Sequence, residues 1–541
     1  MPAKPSSLEA LRTLSIEEAA REVQVSLATI RNWIKTGYLK TADSGEVYQQ
    51  SWEVFKQNIL GKEKLHFGVN KLFKETTKIQ AKRPLIAHWS PNSQGEELGI
   101  NYQNSLSDSH KNREGIYYTP SWIVSDMFDP IKIRPENIFL DPCCGSGNFI
   151  MEALRRGIAP ENVYAVDTDI QAIKITKERV KKTFGCELPN VFHADFLEIL
   201  HLLKQKVSSF DLILTNPPWG KKMDKKVKET YSRQFGCGKS LDSTSLFMGA
   251  CLSVLKPGGH LSFLMQEAFF NIASFEDIRS QVFEKKIYRL VDYGKVFPGL
   301  LTKAQAITLV NQPASDLDKI ECHYQNQTYR RSRKSFKNNP KRIFNFWTNS
   351  AEAAVIEQLF SVPHTTLKGK AQWGMGIVTG NNQKYCSSSY QPGYIPVYRG
   401  SDITPVGFKK PGVYIPEDFS KYQQVAPLER YQAKEKLVYK FITSRLCFCY
   451  DDQQQFILNS ANLLIPKDLG ITAIQLRDLL NSEIINWLYN KLFASHKVLR
   501  SDLESLPIHV DYFKKQAKFD EESYLRYLKI SRQAGKYTCW V

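Results

Sequence analysis

Asn137-Ile138-Phe139-Leu140 is a short apolar run that passes without a break into Asp141-Pro142-Cys143-Cys144-Gly145-Ser146-Gly147-Asn148-Phe149, where helical periodicity begins. A strand that ends on an acid, turns through glycines and opens a helix is the first half of a strand–helix–strand unit. The pattern recurs. Val163-Tyr164-Ala165-Val166, Leu212-Ile213-Leu214 and Gly259-His260-Leu261-Ser262-Phe263-Leu264 are further buried strands, with helical segments at 169–183 and 244–255. Strands alternating with helices predict an α/β domain, a doubly wound and mainly parallel Rossmann-like sheet, from Gly115 to about 312. Ligands of such sheets bind beyond the carboxyl ends of the strands, so the residues that follow each strand carry the functional information.

The strand ends are rich in chemistry. Asp141 is placed to face a cationic group, and Gly145 and Gly147 let backbone approach a ligand closely. Asp167 ends the second strand, where an acid grips ribose hydroxyls. After the next strand comes His193-Ala194-Asp195-Phe196, whose acid can accept from an adenine amino group while Phe196 covers the ring. No GKS or GKT follows the first turn, and its glycines lack the GxGxxG spacing of dinucleotide binders. The ordered set DPCCGSGNF, AVDTD and ADF resembles the nucleotide-binding motifs of S-adenosylmethionine-dependent methyltransferases. The resemblance implies that S-adenosylmethionine is the cofactor, held by Asp141, Cys143, Gly145, Gly147, Asp167, Asp195 and Phe196.

Asp211-Leu212-Ile213-Leu214-Thr215 runs straight into Asn216-Pro217-Pro218-Trp219. Two prolines stiffen this turn and remove N–H donors, leaving carbonyls free to accept. An Asn amide oxygen and a Pro carbonyl can take both hydrogens of an exocyclic amine, turning its lone pair out of the base plane for direct in-line transfer. Trp219 offers a face for a base to stack on. The tetrapeptide matches the Asn-Pro-Pro-aromatic motif of amino methyltransferases. Gly115-Ile116-Tyr117-Tyr118-Thr119-Pro120 resembles the motif that closes over the methionine end in gamma-class, TaqI-type DNA adenine methyltransferases, which implies cofactor contacts for Tyr118, Thr119 and Pro120. Gly294-Lys295-Val296-Phe297-Pro298 resembles the motif whose Phe, here Phe297, stacks on the other face of the flipped base. The motifs also follow the gamma-class order.

Further on, Trp373-Gly374-Met375-Gly376-Ile377-Val378-Thr379-Gly380, then Tyr398-Arg399-Gly400-Ser401-Asp402-Ile403, then LRDLLNSEIINWLYNKLF and LESLPI resemble the C-terminal specificity domain of TaqI-type enzymes. The resemblance spans about 115–510 and implies site-specific methylation of adenine N6 in double-stranded DNA, in a restriction-modification or epigenetic system. Arg399 is a candidate DNA contact. So are Lys221 and Lys222, which with Lys225, Lys226 and Lys228 read as a mobile loop against the phosphates.

The N-terminal stretch is of another kind. Ser15-Ile16-Glu17-Glu18 reads as a capping box opening a helix with Ala19, Ala20 and Val23 inward. Val25-Ser26 makes a turn, and a second helix with Ile30, Trp33 and Ile34 inward stops at Gly37. The pair resembles the helix-turn-helix of excisionase- and MerR-type modules, with Thr29, Arg31 and Asn32 presented to the major groove. The predicted organisation is a helix-turn-helix at 1–60, a polar linker at 61–112, the methyltransferase domain at 113–345 and a mixed α+β target-recognition domain at 346–541.

A net charge of +18 favours a polyanionic partner. No apolar run approaches a membrane span, and the first residues lack the core of a signal peptide. The ten cysteines are scattered without metal spacing, so neither disulfides nor a metal site is expected, and the protein reads as cytoplasmic. A cognate restriction endonuclease is an expected companion, and the enzyme is expected to act as a monomer on DNA. An RNA or protein amino methyltransferase, a methylase-nuclease and a non-enzymatic regulator remain as alternatives.

Overall fold

The structure is a computed structural model that describes residues 13–23, 27–35, 39–42, 44–58, 117–297, 300 and 302–540. These fall in two compact units, residues up to 58 in the first and from 117 in the second.

In the first unit, β1 (Thr13–Leu14) pairs antiparallel with β2 (Val47–Tyr48), Thr13 opposite Tyr48. Helix α1 (Ile16–Glu22) opens on the expected reciprocal cap. Ser15 Oγ accepts from Glu18 N at 3.1 Å, and Glu18 Oε2 accepts from Ser15 N at 2.8 Å. Helix α2 (Leu27–Lys35) turns Ile30 and Trp33 into a core with Ala19 and Ala20. A third helix, α3 (Gln49–Asn58), completes it with Trp52 and Phe55, Phe55 lying 4.7 Å from Trp33. The strand pair and α3 have no counterpart in the sequence reading. Arg31 is exposed. The turn at Val25-Ser26, the stop at Gly37 and the side chains of Thr29 and Asn32 lie outside the described residues.

The second unit is built on nine strands: β3 (Phe139–Asp141), β4 (Val163–Asp167), β5 (Asn190–His193), β6 (Phe210–Thr215), β7 (Leu255–Gln266), β8 (Lys285–Gly294), β9 (Ala304–Pro313), β10 (Lys319–Tyr324) and β11 (Gln327–Ser332). Their order is β11-β10-β8-β9-β7-β6-β3-β4-β5. Five of the eight pairings are parallel. The chain leaves β3 toward β4 and β5, then crosses back to lay β6 on the other side of β3, with Phe139 facing both Val163 and Leu212 in register. That reversal is the switch point at which an open α/β sheet leaves a crevice for a ligand.

Both faces of the sheet are covered. Along β6, Phe210 and Ile213 enter one hydrophobic cluster and Leu212 and Leu214 the other, with helices over each. Parallel strands buried on two sides read as unbroken apolar runs, which is why β3, β4, β6 and β7 stand out in the sequence. The helices that place the site are α4 (Ser121–Phe128), α5 (Asn148–Arg155), α6 (Ile170–Phe184), α7 (Phe196–Lys206), α8 (Lys225–Phe235) and α9 (Ser243–Val254). Helix α8 takes in Lys225, Lys226 and Lys228 of the mobile loop expected there, while residues 221–224 lie before it. Asp224 caps it by accepting from Lys226 N at 2.8 Å, and Gly236 ends it in the left-handed conformation.

The basic stretch 329–342 is built into the fold. Arg331 is 1% exposed, lies 3.8 Å over the Phe336 ring and donates to Asn345 O at 2.7 Å. The C-terminal part holds an antiparallel sheet of four strands ordered 371–375, 461–466, 436–440, 448–451 and a three-stranded sheet ordered 414–416, 394–398, 456–457. It is continuous with the α/β part. Lys341 Nζ meets Asp502 at 2.6 Å with both side chains largely buried, and Asn271 donates to Phe493 O at 2.8 Å.

Gly147 tests the tightness of the first turn. Its φ is +89°, and a Cβ there would lie 2.7 Å from Thr176 Cγ2, whereas Gly145 (φ +51°) has open space. Gly145→Ala is expected to cost only the backbone strain, roughly 1–2 kcal/mol. Gly147→Ala adds an overpacking cost of roughly 1–3 kcal/mol. Thermal unfolding of the two variants should therefore rank Gly147→Ala as clearly the less stable.

Candidate functional site

The switch point gathers most of the residues singled out by sequence. Asp141 ends β3 fully buried, with Oδ1 accepting from Thr215 Oγ at 2.7 Å and from Cys143 N at 3.3 Å. Its Oδ2 is buried with no hydrogen-bond partner among the described residues. Burial pushes this carboxyl up to about 7 against the pull of Thr215 and Cys143. Asp167 ends β4 and accepts from Gly145 N and Asp169 N, each at 2.8 Å. Burial still pushes it up to about 6. Two neighbouring acids lifted by desolvation form a site suited to a ligand that brings positive charge and hydroxyls. Burial also raises the Cys143 and Cys144 thiols well above their ordinary value, which keeps them protonated and poor nucleophiles.

The glycine turn is braced from α6. Thr176 Oγ donates to Gly145 O at 2.9 Å. Arg179, 2% exposed, donates to Ser146 O and to Asn148 Oδ1, the latter at 2.8 Å. Asn148 Nδ2 in turn donates to Thr119 O at 2.7 Å, tying the turn to the segment Tyr117–Pro120. Helix α4 anchors that segment through Asp126, which accepts from Arg289 at 2.8 Å and from Tyr293 Oη at 2.6 Å. A cavity of about 250 Å³ opens beside Tyr118 and Pro120 and is walled by Asn148, Met151 and Glu152.

Asn216 stands at the end of β6, next to β3. Its Nδ2 donates to Tyr117 O and to Thr119 Oγ, each at 3.1 Å. A carbonyl oxygen only accepts, so the amide's NH₂ must face Tyr117. That leaves Asn216 Oδ1 as a buried acceptor with no partner among the described residues. Pro218 O accepts from Ser243 Oγ at 2.7 Å, and no described donor reaches Pro217 O. A buried acceptor left unsatisfied costs about 1–3 kcal/mol unless something fills it. Its orientation is enforced by two protein groups rather than left to chance.

Trp219 and Phe297 come together with a third ring. Their centroids lie 5.3 Å apart edge-to-face, and Tyr117 lies 5.6 Å from Trp219 and 5.4 Å from Phe297. A base between two parallel rings needs a gap of roughly twice the stacking distance, so these rings must part to hold one. Phe196 departs from its expected place. It is 1% exposed and packs in the core against Phe247 at 5.8 Å, because the residue after the capping acid starts α7 and points under the sheet. Asp195 caps that helix by accepting from Leu197 N at 3.0 Å. Lys221 also departs. Its Nζ turns inward to Asp195 Oδ2 at 3.3 Å, while Lys222 and Arg399 are exposed. Tyr117, Thr215, Thr176, Arg179 and Ser243 were missed as site residues. Two of them carried a signal: Thr215 immediately precedes Asn216 on a strand, and Tyr117 stands next to Tyr118 in the motif at 115–120.

Residues 99–353 match the N-6 DNA Methylase family and residues 395–508 the TaqI-like C-terminal specificity domain. The chain is 42% identical over 400 residues to the type II methyltransferase M.VspI of Vibrio sp. (strain 343), covering 73% of this chain and 97% of that protein. It is 24% identical over 206 residues to the type II methyltransferase M.HincII of Haemophilus influenzae, covering 36% of this chain and 37% of that protein. The structure of the type IIL restriction-modification enzyme MmeI in complex with DNA shares the fold, with a TM-score of 0.52 at 13% identity over 77% of this chain and 71% of that one. With a switch-point site on the methyltransferase sheet and a relative matched almost from end to end, the chain belongs to the N-6 DNA methylase family and is a DNA methyltransferase with a TaqI-like specificity domain.

Proposed function

We propose that the protein transfers a methyl group from S-adenosylmethionine to N6 of an adenine flipped out of duplex DNA, within a restriction-modification system. The observation that carries this reading is the buried, partnerless Oδ1 of Asn216, whose amide is turned by Tyr117 O and Thr119 Oγ. An acceptor fixed in that way suits a substrate that brings a donor, as an exocyclic amine does. The cofactor fits the residues present. The open Oδ2 of Asp141 suits its ammonium, Asp167 its ribose hydroxyls and Asp195 its adenine amino group, and Tyr118, Thr119, Pro120, Cys143, Gly145 and Gly147 line the same end of the sheet. S-adenosylmethionine supplies an electrophilic methyl group when bound.

The chain's own residues do the rest. Asn216 Oδ1 and Pro217 O accept the two amine hydrogens, which draws the nitrogen lone pair out of conjugation with the ring. Both acceptors stabilise the positive charge that develops on nitrogen, and they are already in place before it develops. The nitrogen would gain the methyl carbon as the methyl–sulfur bond breaks with its electron pair left on sulfur, and would release one proton to solvent, so the neutral amine is restored without a covalent bond to the protein. Trp219 and Phe297 part to take the base between them, and the energy of stacking offsets part of the cost of unpairing it.

The N-terminal unit serves as an accessory DNA-binding helix-turn-helix at 1–60, joined by a linker at 61–112 to methyltransferase (113–345) and recognition (346–541) parts. Arg31, Lys222 and Arg399 contact DNA, with Thr29 and Asn32 beside Arg31. The protein works inside the cell as a monomer on its site, alongside a cognate endonuclease. Among the described residues no helix is long and apolar enough to cross a membrane.

Incubation with labelled S-adenosylmethionine and mixed-sequence duplex DNA, followed by nucleoside analysis, is expected to yield N6-methyladenine. Label found only in N4-methylcytosine, only in RNA or only in protein would overturn the reading.

A further inference from the structure

Lys221 follows the bend at Gly220, where φ is +67°. The turn is clamped on both sides of that bend by one buried hydroxyl at the start of α9. Ser243 Oγ accepts from Lys221 N at 2.9 Å and donates to Pro218 O at 2.7 Å. The Lys221 side chain then runs back across the strand ends to Asp195, with side-chain exposures of 21% and 20%. The neighbouring Lys222, Lys225 and Lys226 are exposed, and Lys225 pairs with Glu229 of its own helix. Among the described lysines of this stretch, Lys221 is the one paired with an acid of the strand-end row.

An ammonium in that place acts on two things. It fixes the Asp195 carboxylate in place, with one oxygen held by Leu197 N and the other by Lys221. It also ties the turn that carries Asn216 to the acid that receives the cofactor's adenine. The charge of Lys221 reaches Asp167 as well, where it opposes the effect of burial. A lysine contacting phosphate needs to reach outward, and this one is spent inward.

We infer that Lys221 is a positioning residue that couples the catalytic turn to the adenosine end of the cofactor site through Asp195, rather than a contact to the DNA backbone. The inference rests on S-adenosylmethionine being the cofactor. Two measurements on the full chain test it: calorimetric binding of S-adenosylmethionine without DNA, and the slope of log K against log salt for duplex binding. Lys221→Met is expected to weaken cofactor binding about tenfold and to leave the salt slope unchanged. Lys221→Arg, which keeps the charge, is expected to restore most of the affinity. Unchanged cofactor affinity in Lys221→Met, or a salt slope shallower by about 0.9, the value of one phosphate contact, would overturn it. An Arg variant as weak as the Met variant would overturn it too. If the wild-type protein fails to bind S-adenosylmethionine, the cofactor reading falls and this inference with it. That outcome differs from one in which wild type and variant bind alike.

Discussion

Asn216→Ala is expected to lower methyl transfer to duplex DNA by roughly 100- to 1,000-fold, the usual loss when one preorganised polar group of a reaction site is removed. Binding of S-adenosylmethionine should fall far less, because Asn216 bonds to none of the acids at the ends of β3 and β4 and reaches the proposed cofactor residues only at the Thr119 hydroxyl. Single-turnover rates with labelled cofactor separate the two effects. Asn216→Asp asks a sharper question. Its second oxygen would replace Nδ2 and face Tyr117 O, acceptor against acceptor, so only the protonated acid fits. Activity of that variant should therefore rise as pH falls, opposite to the wild type. Thr119→Val removes one of the two groups that turn the amide and should cost about tenfold, the worth of one hydrogen bond of 1–1.5 kcal/mol. An Asn216→Ala enzyme that keeps its transfer rate would remove the amide from the mechanism.

The part of the fold that was legible is the part where local sequence and site coincide. β3, β4 and β6 are largely buried on both faces, so each carries an apolar run, Phe139-Leu140, Val163-Tyr164-Ala165-Val166 and Leu212-Ile213-Leu214. Each hands over within a residue or two to the one that matters: Asp141, Asp167 and Asn216. The antiparallel edge was not legible in the same way. β9 inserts between β7 and β8, which precede it in the chain, and β10 pairs parallel with β8. Which strand a strand pairs with depends on the rest of the molecule, not on its own residues.

The misplaced side chains share a cause. Arg331 and Arg333 stand in the basic run YRRSRKSFKNNPKR, and each lies over an aromatic ring, Phe336 and Phe283, and donates to backbone carbonyls. Lys221 was grouped with the lysines that follow it, and its contact with Asp195 joins positions 26 apart. Phe196 was assigned with the acid beside it, although successive residues at a helix start point in different directions. For Lys221 and Phe196 the residue type was read correctly and its direction was not, because direction is set by packing partners far away in the chain.

Asp141→Asn is expected to set stability against cofactor binding. The carboxyl is 0% exposed and is pushed up to about 7 from 3.8, a gap worth on the order of 4 kcal/mol when it is ionised. The folded-state value is the raised one. Between pH 3.8 and about 7 the folded protein therefore holds a proton that the unfolded chain has released, and stability falls as pH rises through that window. Asparagine has no charge to bury, and its Oδ1 still accepts from Thr215 and Cys143. The variant should melt higher than wild type at pH 8, and the advantage should shrink toward pH 4. Cofactor binding runs the other way. An ammonium beside Asp141 favours the ionised form, so below about 7 binding must expel a proton, and wild-type affinity should climb up to tenfold per pH unit before levelling off. The variant should bind at least about 100-fold more weakly at pH 8, the worth of a buried charge pair. It should keep only the shallower dependence contributed by Asp167, which ionises near 6. Calorimetry in two buffers of different ionisation heat reads the proton count directly. A variant that binds as tightly as wild type with the same proton release would place the ammonium elsewhere. A variant that is weaker but no more stable at pH 8 would show that the folded protein does not hold the Asp141 carboxyl above its ordinary value.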